Sequence, residues 1–457
     1  MRFINREEEL KLLEHEYKKE ASSFVIIYGR RRTGKTTLIE KFIENKKAIY
    51  FLATLQNEKL QIESFKNIAS EVLDDDLLKS LNVDSWDIIF KYILNKTKEK
   101  LIIVIDEFQY LTQVNSSIPS IFQSIWDNIL KNKNVMLILC GSLIGLMYKT
   151  TLGYTSPLYG RRTAQIKLKP MEFKNFKKFF KNSDNIKLLE FYSVIGGIPR
   201  YIELFDESLD VFENIKNNIL YKNSYLYEEP KFILKEEIKD PITYFSILQV
   251  ISQGERKIGK IAAKLGMQTH NLTSFIEKLI ELDILERKVP ITEENPEKSK
   301  KGLYFIKDNF FNFWFKYVFP YQNYLETGRY DYILNKIKSD FDIFVSFTFE
   351  EVILEYIYDL DIPFHIYKAG KWWDKDTEID VVAVGEDSIL FGEYKYWDSP
   401  VGTNVLYQLK EKAKKVDWKK GKRKEYYAVF SKSGFTKEIM DLSKKDKDIF
   451  LFDFNDF

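Results

Sequence analysis

The sequence predicts an α/β chain. A parallel sheet is built around a phosphate loop, followed by a helical segment, three helices with a β-wing, and a second, smaller α/β unit. Three observations carry this reading. First, Ser23-Phe24-Val25-Ile26-Ile27-Tyr28 is a β-branched, apolar run that feeds Gly29-Arg30-Arg31-Arg32-Thr33-Gly34-Lys35-Thr36 and then an amphipathic stretch. Second, strand-sized apolar runs alternate with helix-period segments up to residue 168, the pattern of a parallel sheet covered on both faces. Third, the alternation resumes over 341–457, with carboxylates set on the strands.

Composition bounds the function. A length of 457 residues fits about three domains. Apolar residues make up 45% and charged residues 30%, as in an ordinary globular protein, and the net charge of +2 means that any basic surface is local. The single cysteine, Cys140, excludes a disulfide framework and a cysteine zinc site. His15, His270 and His365 are far apart, so no histidine metal cluster is expected. The N-terminus turns charged within six residues, which argues against a signal peptide, and the apolar runs 101–105 and 135–140 are too short to span a bilayer. A cytoplasmic protein with no membrane partner is expected.

In chain order, residues 1–20 form an amphipathic helix with Asn5 as its expected N-cap and acidic residues in the first turn. The loop 29–36 satisfies G-x-x-x-x-G-K-[ST]. Backbone N–H groups of Gly29, Arg30, Arg31, Arg32, Thr33, Gly34, Lys35, Thr36 and Thr37 are placed to cradle a nucleotide's phosphates, aided by the N-terminus of the helix that starts at Lys35. Strands are expected over 47–53, 101–105, 135–140 and 165–168, with helices over 61–73, 86–98 and 118–132. Ligands of such sheets sit at the carboxyl ends of strands. There Leu101-Ile102-Ile103-Val104-Ile105 ends in Asp106-Glu107. Asp106, with Thr36, would serve Mg²⁺, and Glu107 would orient or deprotonate water while Lys35 meets the β- and γ-phosphates of ATP. Arg161 and Arg162 follow a Gly/Pro-containing loop. They read either as transition-state cations, acting in cis or in trans, or as solvated surface charges.

A strand that lies in sequence between the loop strand and the acidic strand, with Glu107 beside Asp106, resembles the additional-strand group of P-loop ATPases, which includes the AAA+ and STAND classes. Ser142, in Leu139-Cys140-Gly141-Ser142, matches the position of that group's polar γ-phosphate sensor. Further on, Gly196-Gly197-Ile198-Pro199-Arg200-Tyr201 interrupts a helical region. The order Phe-Ile-Asn-Arg-Glu, phosphate loop, Ile-Asp-Glu-Phe-Gln-Tyr-Leu, Cys-Gly-Ser, Pro-Leu-Tyr-Gly-Arg-Arg and Gly-Gly-Ile-Pro-Arg-Tyr resembles the archaeal-type ATPase family of the STAND class. The resemblance implies a helical lid that sets Pro199 beside the nucleotide and an N-terminal segment that brings Arg6 to the base, although the family's usual glycine before Arg6 is Asn5 here.

Residues 240–290 change character. A helical pattern over 241–252, a short helix ending at Gly266 and a third helix over 269–282 precede a β-wing at 283–290, which matches a winged helix-turn-helix. Leu272, Phe275, Ile276, Leu279 and Ile280 form the inner face of the third helix, and His270, Asn271 and Lys278 face outward, toward DNA or toward a packing partner. The polar stretch 293–301 reads as the wing tip, 303–308 as a strand and 310–319 as an aromatic helix packed in a core.

In the last unit a helix over 344–358 carries Glu350, Glu351 and Glu355. Strands are expected over 363–369, 379–384, 389–396, 425–430 and 449–452, with helices over 404–416 and 436–442. If the strands bearing Asp380 and Glu393 pair as a hairpin, the two carboxylates converge on one Mg²⁺ or Mn²⁺, Lys395 lies beside the attacking water, and Glu351 reaches the same ion. Glu-x-Lys alone carries no weight, since it recurs at Glu16-Tyr17-Lys18 and Glu172-Phe173-Lys174. The whole order resembles the PD-(D/E)xK nuclease superfamily, and also the C-terminal domain of unknown function that accompanies this ATPase family.

The resulting expectation is a P-loop ATPase core over 1–170, a helical lid over 171–239, a winged helix-turn-helix over 240–308 and a restriction-endonuclease-like domain over 309–457. Its partners would be ATP or ADP, DNA and, as a homo-oligomer, further copies of the chain. The chain reads as an ATP-hydrolysing protein whose nucleotide state controls a DNA-binding, metal-dependent nuclease module. The alternative is a nucleotide-gated regulator or scaffold that cuts nothing.

Overall fold

The computed structural model describes residues 3–96 and 99–457, with every side chain among them except that of residue 456. One compact unit runs to Pro170 and also takes in Ile233–Lys239; the other comprises Met171–Phe232 and Asp240–Phe457.

The first unit holds a five-stranded, wholly parallel sheet of β1 (Ser23–Tyr28), β2 (Ala48–Leu52), β3 (Leu101–Asp106), β4 (Val135–Gly141) and β5 (Ala164–Lys167), in the order β2-β3-β4-β1-β5. The acidic strand β3 is thus separated from the loop strand β1 by β4. Every residue of β1, β3 and β4 is buried, because side chains alternate between two covered faces. Phe24, Ile26, Ile103, Ile105, Leu137 and Leu139 point into a core with helices Glu58–Leu73, Trp86–Leu94 and Ile118–Ile125. Val25, Ile27, Ile102, Val104 and Ile138 point the other way, onto Leu13 of helix Glu7–Lys18 and Leu38, Ile39 and Phe42 of helix Lys35–Ile43. Each fully buried large aliphatic or aromatic side chain stabilises the fold by about 1.5–3 kcal/mol before ordering costs.

Two local expectations need correction. Asn5 is not the N-cap. Both Asn5 and Arg6 take left-handed backbone (φ 63° and 81°), and Arg6 stands at the cap of helix Glu7–Lys18 without a side-chain capping bond, its guanidinium meeting Glu9 at 3.3 Å instead. The helix expected over 86–98 ends at Leu94, and residues 97 and 98 lie outside the described residues.

In the second unit, helices Ile242–Ser252, Ile258–Lys264 and Thr269–Glu281 precede an antiparallel pair, β6 (Leu285–Lys288) and β7 (Leu303–Ile306). Leu272, Ile276 and Leu279 are buried, whereas Ile280 is exposed despite its expected place on that face. His270 and Asn271 are exposed, and Lys278 is half-buried against Glu281 (3.0 Å). The aromatic helix Asn309–Tyr317 buries Phe310, Phe311, Phe313, Trp314 and Phe315, as expected of core. Helix Tyr330–Tyr356 starts well before the expected 344 and breaks its regular backbone at Asp340. It leads into a mixed sheet of β8 (Lys368–Trp373), β9 (Glu378–Val384), β10 (Ser388–Lys395), β11 (Lys424–Ser431) and β12 (Ile449–Asp453), ordered β12-β11-β10-β9-β8. The pairs β8/β9 and β9/β10 are antiparallel, while β10/β11 and β11/β12 are parallel. Among the described residues no helix is long and apolar enough to cross a membrane.

Candidate functional site

The phosphate loop leaves β1 and enters helix Lys35–Ile43 through left-handed backbone at Arg32 (φ 68°) and Gly34 (φ 90°). Gly29 is required sterically, because a Cβ there would collide with the carbonyl oxygen of Leu168. Lys35 is buried, and its Nζ donates to the carbonyl oxygens of Gly29 (2.9 Å) and Arg30 (2.8 Å), so its ammonium lies inside the loop. Burial depresses its pKa, and Glu107 and Asp106 oppose the shift. Thr33 is buried and donates to the Arg30 carbonyl at 2.8 Å, which closes the loop on itself. Arg6 braces the loop from outside, donating to the carbonyls of Lys169 (2.7 Å) and Thr33 (3.3 Å). Burial lowers its pKa, and Glu9 partly restores it.

The sheet order places Asp106, at the end of β3, within reach of the helix that follows the loop. Thr36 Oγ1 donates to Asp106 Oδ2 at 3.1 Å, and the Glu107 N–H donates to Asp106 Oδ1 at 2.8 Å. Glu107 adopts left-handed backbone (φ 52°). Its Oε2 accepts from Ser142 Oγ at 2.7 Å and from Gln109 Nε2, and Gln109 also donates to Ser142 Oγ (3.3 Å). Lys35, Thr36, Asp106, Glu107 and Ser142 therefore form one connected constellation at the carboxyl ends of β1, β3 and β4. A hydroxyl and a carboxylate beside a buried ammonium and a glycine cradle fit Mg²⁺ with a nucleotide's phosphates.

Three participants, Tyr50, Gln109 and Glu236, were not read from the sequence as site residues. Tyr50, on β2, donates its phenol to Asp106 Oδ2 at 2.5 Å, and burial, followed by the Asp106 charge, pushes its pKa up. Gln109 bridges Glu107 and Ser142, and its position two residues past Glu107 was the available signal. Arg31 pairs with Glu236 (2.8 Å) and donates to the Tyr110 hydroxyl. Burial raises the Glu236 pKa against the pull of Arg31. Next in sequence, Glu237 accepts from the Ile144 N–H at 2.7 Å, just beyond Ser142.

The paired arginines separate. Arg161 holds Asp127 through Nε and Nη2 (2.8–3.1 Å) and donates to the Pro157 carbonyl, so its guanidinium is engaged within its own unit. Arg162 is half-buried. In the second unit, Pro199 is buried and opens helix Pro199–Ile202, where a Cβ on Gly197 would collide with the backbone of Met171.

In the C-terminal sheet the antiparallel register of β9 and β10 runs to Val381 opposite Gly392, so Asp380 and Glu393 lie one step beyond. Asp380 Oδ2 accepts from the Tyr394 N–H at 3.3 Å. Burial, then Glu393 and Glu350, push its carboxyl up to about 7. Glu393 is buried, with both oxygens occupied: Lys412 Nζ lies 3.0 and 2.8 Å from Oε1 and Oε2, and Lys395 Nζ lies 2.8 Å from Oε1. Glu351 is not brought to this pair; it is held by Lys288. Its neighbour Glu350 is buried, adds to the field at Asp380 and is paired with Lys371 at 2.9 Å. A divalent ion needs carboxylate oxygens with uncommitted lone pairs at about 2.0–2.6 Å. Ammonium groups take those positions on Glu393, so Glu393 does not fit the expected Mg²⁺ or Mn²⁺ and Asp380 is left without its partner ligand. Among the described residues no group of three or more His, Cys, Asp or Glu is arranged to hold a metal, and all three histidines are exposed.

Residues 3–205 match an ATPase domain found predominantly in Archaea, and residues 314–416 match a domain of archaeal and bacterial proteins of unknown function. The protein MJECL04 of Methanocaldococcus jannaschii is 38% identical over 466 residues, with 100% of each chain covered. The ATP-binding protein MJ0423 of the same organism is 56% identical over 45 residues, covering 10% of this chain and 76% of its own. Among solved structures, the Walker-type ATPase PABY2304 of Pyrococcus abyssi is similar at 20% identity and TM-score 0.47, covering 68% of this chain and 95% of that one. The full-length match to MJECL04, with the phosphate loop and Asp106-Glu107 inside the matched ATPase domain, shows that the chain belongs to that protein's family, whose N-terminal part is an ATPase domain of the predominantly archaeal kind.

Proposed function

We propose that the chain binds and hydrolyses ATP at residues 29–37, and that its nucleotide state governs a DNA-binding second unit. The convergence of Thr36 on Asp106 at 3.1 Å, with buried Lys35 inside the loop, carries this reading. Mg²⁺, when bound with ATP, would supply charge neutralisation at the phosphates. The chain does the rest. Lys35 exchanges its bonds to the Gly29 and Arg30 carbonyls for phosphate oxygens. Thr36 and Asp106 would hold Mg²⁺. Glu107, oriented by Ser142 and Gln109, takes the proton of the attacking water. Arg6 positions the loop. Arg162 is the better candidate of the two arginines for contacting transferred phosphate, since Arg161 is held by Asp127.

DNA is proposed for the module 242–306, read as a winged helix-turn-helix. Exposed His270 and Asn271 on helix Thr269–Glu281, with exposed Lys257, Lys260 and Lys264 beside them, suit contact with a duplex. The C-terminal sheet is read as nuclease-like in topology. The occupied oxygens of Glu393 favour the second reading, a nucleotide-gated regulator that does not cleave.

ATP turnover tests the central assignment. Lys35→Ala is expected to abolish nucleotide binding and turnover. Glu107→Gln should keep ATP binding while lowering turnover about 10²–10⁴-fold. Turnover retained in both variants would place hydrolysis elsewhere.

A further inference from the structure

We propose that Lys412 is the resident cation of the C-terminal acidic cluster, an ammonium of the chain itself standing where a divalent ion would bind, so that Glu393 is neutralised beside Asp380 without metal. The proposal deepens the non-cleaving reading of this domain. It is tested by metal uptake, so it can fail or stand whether or not any DNA is cut.

The geometry is that of a bidentate site already filled. Lys412 lies on helix Thr403–Ala413 and reaches β10, where its Nζ bridges both Glu393 oxygens at 2.8 and 3.0 Å. A bidentate metal ligand presents the same two lone-pair directions to its ion. Lys395, two residues along the strand, adds a third charge-assisted bond at 2.8 Å. The neighbouring acid on the preceding helix is treated alike, since Glu350 and Lys371 are both under a tenth exposed and lie 2.9 Å apart. Glu393 thus takes Lys395 and Lys412, and Glu350 shares Lys371 with Glu378, so these carboxylates meet ammonium groups drawn from the chain itself, while Asp380 accepts from the Tyr394 N–H. A buried carboxylate needs such a partner. Once it has one, a second cation must displace the first and strand an ammonium in a partly buried place. The opening beside the cluster, about 540 Å³, is lined by Asp342, Asp380, Glu393 and Asp398, of which Asp398 is paired with Lys432 at 2.6 Å.

The same arrangement assigns a structural task to the lysine. It ties helix Thr403–Ala413 to β10 through a pair whose glutamate is buried, and removing one partner of such a pair costs more than the pair's net worth. Lys412→Met is therefore expected to lower the melting temperature, and Lys412→Arg to restore most of it.

The test is Mn²⁺ uptake by the full chain, followed through the electron-paramagnetic signal of free Mn²⁺. Uptake at the phosphate loop is common to all variants and cancels in the difference. Wild type and Asp380→Asn should take up equal Mn²⁺. Lys412→Met should gain one further ion per chain, and Lys412→Met/Asp380→Asn should lose it again. A wild-type site that disappears in Asp380→Asn, or a folded Lys412→Met chain with no added uptake, overturns the proposal. If Lys412→Met does not fold, the comparison of wild type with Asp380→Asn decides by itself.

Discussion

At the scale of single residues, the ATPase site is held by short bonds between elements far apart in sequence. Asp106 accepts from Thr36, from the Glu107 N–H and from Tyr50, so its carboxylate is fixed by three donors before any ion arrives. The Tyr50 bond, at 2.5 Å to a carboxylate, is of the charge-assisted class, worth about 1.5–3 kcal/mol; its two fellow donors absorb part of the loss. Tyr50→Phe is thus expected to lower kcat/KM for MgATP by roughly 5–30-fold, equivalent to about 1–2 kcal/mol. Nucleotide affinity measured without Mg²⁺ should stay the same. Equal loss with and without the metal would mean that Tyr50 supports the loop rather than Asp106. Tyr50 could not be found by pattern. Its role depends on β2 lying next to β3 with Leu52 opposite Asp106, a pairing that local residue order does not encode. Lys412 was missed for a related reason: it meets Glu393 only because helix Thr403–Ala413 packs back on β10.

At the scale of elements, what was legible was what burial writes into the chain. The strands β1, β3 and β4 are covered on both faces, so they appear as unbroken apolar runs, and their ends fall within a residue of the expected ones. Helix phase was harder. Helix Tyr330–Tyr356 breaks at Asp340 and begins before the expected 344, and it is Glu350 that sits in the field of Asp380 while Glu351 turns to Lys288. The N-terminal cap failed because Arg6 is spent on the carbonyls of Thr33 and Lys169, which requires left-handed backbone at Asn5 and Arg6 that no capping pattern signals. The segment Ile233–Lys239, the last stretch of the expected lid, belongs to the compact unit of the phosphate loop and sets Glu236 on Arg31. Glu236 both restrains a loop cation and adds negative charge near the phosphate position. Glu236→Gln removes both effects in the same direction, so ATP binding should tighten. For a pair this exposed, about 0.5–1 kcal/mol is at stake, or roughly 2–5-fold in Kd by titration with a fluorescent ATP analogue. Weaker binding would show that Glu236 stabilises the loop's binding-competent form.

At the scale of the whole molecule, the chain's path would give the nucleotide site and the proposed DNA-binding module a covalent route to influence each other. The backbone leaves the ATPase unit after Pro170, returns for Ile233–Lys239 and leaves again at Asp240, just before helix Ile242–Ser252 of the proposed DNA-binding module. The returning stretch touches the site at two points, Arg31 of the phosphate loop through Glu236 and the Ile144 N–H beyond Ser142 through Glu237. A change of loop conformation on ATP binding would therefore be felt at the root of the module. Linkage makes this quantitative, because any factor by which MgATP changes DNA affinity is the factor by which DNA changes MgATP affinity. Allosteric couplings of this kind typically amount to about 5–150-fold. Duplex DNA binding followed by fluorescence anisotropy at fixed salt, with and without saturating MgATP, should give two Kd values in that ratio. The MgATP Kd with and without saturating DNA should give the same ratio. In Lys35→Ala the DNA Kd should lose its dependence on ATP while nucleotide-free DNA binding survives, since the exposed lysines at 257–264 are untouched. The salt slope of that residual binding should reflect only the phosphates those side chains neutralise. A DNA Kd indifferent to nucleotide in the wild-type chain would separate the two halves energetically. The ATPase assignment would then stand alone, with no control over the second unit.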